Sequence, residues 1–196
     1  MSWRKRREAA ERSLLSGQRA ADELAAALRA GARLPSVQAP GLPLDPGEVV
    51  HAYVFCDTAR FYGTDVVYPQ GRVGYFEDHP TFGRRWVDNR QAEARRCREA
   101  EIDAQERWRD HATARVVLTS HGFRLCPVPP GVEWLPFDHV LLTGAAPDPD
   151  RGQVMLSYST CAPLLLTGAA VPWLVVALDR LLVSSGRGSL APRHNG

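Results

Sequence analysis

A chain of 196 residues, 44% apolar and 23% charged, has the composition of one soluble globular domain with room for an appendage, and excludes a disordered or fibrous polymer. Its net charge of +2 is too small to supply the clustered basic face that nucleic acid requires. Four cysteines, Cys56, Cys97, Cys126 and Cys161, stand far apart without a CxxC pair, which argues against a disulfide scaffold or a zinc site and for reduced, mostly buried thiols in the cytoplasm.

Residues 2–30 predict a helix, rich in Ala, Leu, Arg and Glu, with Ala21, Leu24, Ala25 and Leu28 on one stripe. Gly17 predicts a break in its middle, and Gly31 a stop at its end. The stripe is short of large residues, so the helix (residues 1–34 with its flanks) is expected to dock on the body or on another chain. The basic cluster Arg4 to Arg7 runs into Glu8 and Glu11 rather than an apolar segment, unlike a secretory leader. Residues 35–47 form a linker in which Pro35, Pro40, Pro43 and Pro46 impose an extended path.

The body begins at Glu48. Residues 49–55 predict a first strand, and residues 65–68 a second, short one. Residues 71–74 and the surroundings of His79 and Pro80 predict loop. Residues 88–110 predict a charged surface helix with Asp88 as N-cap and an Asp103–Arg107 pair worth about 0.3–0.5 kcal/mol. Trp86 and Trp108 are expected to anchor that helix to the body.

The C-terminal half gives the clearest pattern. Strands are expected at residues 115–119 and 123–125, joined by a turn in which Gly122 supplies a left-handed position. Further strands follow at 132–137, 139–143, 153–158 and 164–166, with a turn at 147–152. Pro172 opens a helix whose Leu174, Leu178, Leu181 and Leu182 share one apolar stripe. The uncharged run 161–178 thus divides into a buried strand and a helix start rather than a membrane span. Ser, Gly, Arg and Pro dominate residues 185–196, which read as a disordered tail.

Four segments in order carry a resemblance: Gly47-Glu48-Val49-Val50; Trp108-Arg109 ahead of Arg115-Val116-Val117-Leu118-Thr119; Trp134-Leu135-Pro136-Phe137-Asp138-His139-Val140; and residues 163–172. Strands in a meander closed by one C-terminal helix resemble the pleckstrin-homology (PH) superfold, and the chain is similar to bacterial PH-like or GRAM-like proteins of actinobacterial type. The resemblance implies an α+β fold: a small PH-like β-barrel capped by a C-terminal amphipathic helix, spanning residues 48–184, with a helical insertion at about 61–113. It also implies a non-catalytic module that binds a protein partner or its own copy, without cofactor or metal. The alternative is an anionic membrane surface met by the N-terminal basic cluster and the insertion. Arg60, Arg72, Arg84 and Arg85 are the candidate contacts for phosphate or an acidic protein patch, against the commoner reading of each as a solvated surface arginine.

No catalytic constellation competes with this reading. His51 and Cys56 fall on opposite faces of a strand, so Cys56 reads as a buried small hydrophobe. Asp78-His79 and Asp138-His139 lack metal-ligand spacing, and Gly71-Arg72-Val73-Gly74 lacks the Lys-Ser/Thr of a phosphate loop.

Overall fold

The computed structural model describes residues 3–128 and 133–188. Ser2, the expected strand start at Val132 and the tail 189–196 lie outside the described residues, as do the side chains of Arg4 and Arg6. The described chain divides into two compact units: Tyr62–Arg107, and the stretches on either side of it.

The larger unit opens with α1 (Trp3–Arg29), a single unbroken helix. The expected break at Gly17 does not occur, because this glycine serves a close approach instead. A Cβ there would lie 1.7 Å from the carbonyl oxygen of Ala169. Ala21 and Leu24 are buried, and α1 packs along α3 (Val171–Ser184). At φ 92°, Gly31 takes the left-handed conformation that ends the helix.

Seven strands form one antiparallel sheet: β1 (Val50–Tyr62), β4 (Arg107–Thr119), β5 (Gly122–Pro127), β6 (Leu135–Asp138), β7 (Leu142–Asp148), β8 (Gln153–Tyr158) and β9 (Leu164–Thr167). Their spatial order is β6-β5-β4-β1-β9-β8-β7. The sheet is therefore a meander split at β1, with β6 and β7 as its two edges. Laid flat, seven strands would hold those edges about 29 Å apart. Yet β6 and β7 are joined only by the 3-10 turn His139–Leu141, which advances about 6 Å. The sheet must roll, and Phe137 on β6 accordingly meets Tyr158 on β8 at 5.4 Å between ring centroids.

The roll stops short of the expected closed barrel. β6 has only four residues, Pro136 among them can donate no ladder hydrogen bond, and among the described residues no pairing joins it to β7. The strand expected at 139–143 is accordingly a 3-10 turn followed by the start of β7. Inside the roll lie Leu118, Phe123, Leu156, Leu164, Leu166, Leu174 and Leu178, all but fully buried. Each is worth roughly 1.5–3 kcal/mol. In β8 burial alternates on Val154, Leu156 and Tyr158, as its sequence pattern requires. Cys56 is buried in the core, which pushes its thiol up to about 12. The turn glycine Gly122 is not left-handed; it lets the chain pass Phe137, whose carbonyl oxygen a Cβ would meet at 2.4 Å.

In β5 Arg124, which faces away from the core, is buried too, where Asp45 and Glu48 reach it from the chain ahead of β1. Val37 and Ser120 donate backbone hydrogen bonds to Val50 and Val49, and the Trp134 indole donates to Gly41. No helix among the described residues is long and apolar enough to cross a membrane. The run 161–178 contains β9 and the first part of α3.

In the unit Tyr62–Arg107, the strand expected at 65–68 is absent, and two strands occupy what read as loop. β2 (Gly74–His79) and β3 (Gly83–Asp88) form an isolated antiparallel hairpin. α2 (Arg90–Ala104) is shorter than the expected helix: its cap is Asn89, whose Oδ1 accepts from Ala92 N, and its C-terminal neighbours belong to β4. The Asp103–Arg107 pair forms at 2.5 Å across the helix end. Trp86 stands 41% exposed on β3, and Trp108, on β4, packs edge-on against Phe61.

Candidate functional site

At the corner where β6 passes to β7, the linker, the β4–β5 turn and the chain beyond α3 converge. The Thr119 hydroxyl accepts from His121 N and Gly122 N and donates to Glu48 Oε1 at 2.5 Å. The other Glu48 oxygen accepts from Asp45 N at 3.0 Å. Arg124 reaches Glu48 at 3.1 Å and Asp138 at 2.7 Å. Glu48 and Arg124 are almost wholly enclosed, their side chains 1% and 10% exposed. Burial pushes the Glu48 carboxyl up, but the Thr119 and Asp45 hydrogen bonds and the Arg124 charge outweigh it and hold the pKa below the ordinary value.

His139 follows, with its N donating to His121 O at 2.8 Å and its ring edge-on to Phe123. Burial, aided by Arg187 and Arg124, pushes its imidazole down to about 4. Its Nε2 has no hydrogen-bond partner among the described residues. Ligand atoms of Asp45, Glu48 and His121 lie within 4.8 Å of one another, a spacing open to a metal ion. The Arg124 guanidinium already supplies the positive charge beside Glu48, so the cluster reads as an ion-pair network.

Beside this corner runs a groove of about 510 Å³ between the outer edge of β7 and the end of α3. Leu142, Ala145 and Leu182 give it apolar walls, and Gly144 leaves its middle open. Arg187 stands at the Leu142 end, where its guanidinium donates to the carbonyls of His139 and Val140. It pairs with no carboxylate among the described residues, and a guanidinium carries five donors. Arg187 also lines the adjoining corner pocket, about 390 Å³, with Ser120, His121 and Arg124.

The four arginines singled out in the sequence have other settings. Arg60, on β1, donates to Ala162 O and lies over the Phe137 ring. Arg72 is exposed ahead of β2. Arg84 and Arg85 are consecutive on β3 and so face opposite sides; Arg84 covers Phe76 and Arg85 pairs with Glu77 at 3.0 Å. Sequence reasoning missed Glu48, Arg124 and Arg187 as site residues. The one available signal was Arg124, a charge between Phe123 and Leu125 in an otherwise apolar strand.

Comparison with family models, with curated proteins and with solved structures finds no match to this chain.

Proposed function

We propose that this chain is a non-catalytic, PH-like interaction module of the cytoplasm that binds an extended segment of a protein partner as an added strand on β7. An antiparallel meander followed by one C-terminal helix supports the PH-like reading. Four free cysteines suit a reducing compartment. The observation that carries the binding reading is the unpaired edge of β7 beside a groove that Leu142, Ala145 and Leu182 line, with a cation at one end. An edge strand offers half its backbone N–H and C=O groups to a partner strand, while the groove receives alternate side chains. Arg187 then favours a partner with an Asp, Glu or terminal carboxylate at the Leu142 end. The membrane alternative draws less support: the hairpin that carries Arg84 and Arg85 also carries Glu77, Asp78 and Asp88.

Peptides selected from a random linear library against the full chain test this reading. A Cβ at Gly144 would meet only Ser157 Cβ, at 4.0 Å, so Gly144→Phe has room at its Cβ and crowds the middle of the β7 edge. The expected outcome is an unchanged thermal unfolding midpoint with binding of the selected peptides abolished. Arg187→Glu should keep the fold and remove the preference for acidic peptides. Selected peptides that bind Gly144→Phe as well as the wild type would overturn the proposal.

A further inference from the structure

The hairpin β2–β3 is two strands with little to hold it. In the whole unit Tyr62–Arg107 only Ala104 is buried, whereas Tyr75, Phe76, Phe82 and Trp86 are 54%, 58%, 78% and 41% exposed. A lone two-stranded hairpin is marginal in water, and a third or fourth strand is what stabilises it. The register places Phe76 opposite Trp86 and Asp78 opposite Arg84, so Phe76, Asp78, Arg84, Trp86 and Asp88 share one face. On that face Phe76 and Trp86 meet edge-on at 5.1 Å, and the Trp86 indole donates to one oxygen of Asp88. Among the described residues β3 pairs with no strand other than β2.

The charges of β3 are self-complementary. Its sequence reads Gly-Arg-Arg-Trp-Val-Asp from Gly83 to Asp88. Paired antiparallel with the same strand of a second copy about a two-fold axis at Trp86, it sets Arg84 opposite Asp88 on both sides of the axis. The two Trp86 rings then face each other at the centre. β2 offers nothing comparable, because its own pairing brings Glu77 and Asp78 together without a basic partner other than His79.

We propose that β3 is a self-association edge: two copies of this chain join their hairpins into one four-stranded sheet, β2-β3-β3-β2, centred on Trp86. The arrangement is a closed, isologous two-fold contact. It forms one aromatic face from Phe76 and Trp86 of each copy, and it occupies a strand edge left open in the single chain. It rests on β3 alone and stands or falls separately from peptide binding at β7.

Sedimentation equilibrium of the full chain over a range of concentrations tests it by charge exchange. Asp88 lies opposite Gly74 within the hairpin, so Asp88→Arg adds no like-charge pair there. Arg84→Asp is made together with Asp78→Ser, which keeps two acids from facing each other inside the hairpin. Wild type should show a monomer–dimer equilibrium. Each variant alone should associate about tenfold or more weakly, since two attractive cross-strand pairs become repulsive. An equimolar mixture of the two variants should recover the wild-type association, because each then supplies what the other lacks. A wild type that is monomeric throughout, variants that associate like the wild type, or a mixture that stays monomeric would each overturn the proposal.

Discussion

Replacing Arg124 with Met should lower the unfolding free energy by about 3–5 kcal/mol, measured by urea denaturation at neutral pH. The substitution fills similar volume but leaves the Glu48 carboxylate, 1% exposed, without its cation. Thr119 and Asp45 N still hydrogen-bond that carboxylate, but two neutral donors do not replace a charge in a low-dielectric site. Adding Glu48→Gln should recover a large part of the loss, because an amide needs no counter-charge. The pH dependence has a definite sign. The folded pKa of Glu48 lies below its unfolded value, so its contribution is complete above the ordinary carboxylate range and is lost as pH falls through the depressed pKa. Without Arg124 the upward push of burial meets less opposition, and the acid-unfolding limb moves to higher pH. His139 adds a loss of the same sign, smaller in the variant because Arg124 is one of the charges that depress its pKa. Between 6.5 and about 4 only its unfolded form takes up a proton, so stability falls as pH drops through that window.

Gly17→Ala should destabilise the protein by about 1–3 kcal/mol, although helix propensity alone gives the opposite sign. Alanine is favoured over glycine in a helix interior by about 1 kcal/mol. At this position the new methyl would sit 1.7 Å from a backbone oxygen, that of Ala169, which cannot swing aside as a side chain would. Relief requires α1 to lift from the chain just ahead of α3, loosening the contacts of Ala21 and Leu24. Thermal unfolding reads the sign directly. An increase in the midpoint would show that α1 is held without this close approach.

The elements legible in the sequence are those whose local pattern and tertiary role agree. β8 alternates because one of its faces is core, and α3 shows its stripe because Leu174, Leu178 and Leu182 meet the rolled sheet. The β2–β3 hairpin was not legible. Phe76 and Trp86 lie on one face and Tyr75 and Val87 on the other, so neither strand shows period-two alternation, and the glycines and Pro80 around them read as loop. Residues 107–110 continue the charged composition of α2, yet pairing of β4 with β1 claims them, fixed further along by Thr58 to Ala112 O and Thr113 to Asp57. Gly17 shows the same limit: its reason lies at Ala169, remote in sequence.

The candidate site was less legible still. The polar corner draws Asp45 from the linker, Glu48 from just ahead of β1, Thr119 and Arg124 from the β4–β5 hairpin, Asp138 from β6 and Arg187 from beyond α3. No spacing along the chain links them; only the roll of the sheet does. Charge and the resemblance single out Arg60, Arg72, Arg84 and Arg85 instead. Arg124 was hidden because alternation along β5 places it on what would be a solvent face had Asp45 and Glu48 not reached it from the chain ahead of β1.

Amide hydrogen exchange of the full chain, with and without a peptide selected from the random library, tests strand addition at β7 most directly. Strand addition requires that amides of residues 142–146 facing away from β8 become strongly protected on binding, with Pro147 contributing none. Protection confined to β2 and β3 or to α1, with β7 exchanging at its free rate in the bound protein, would contradict it.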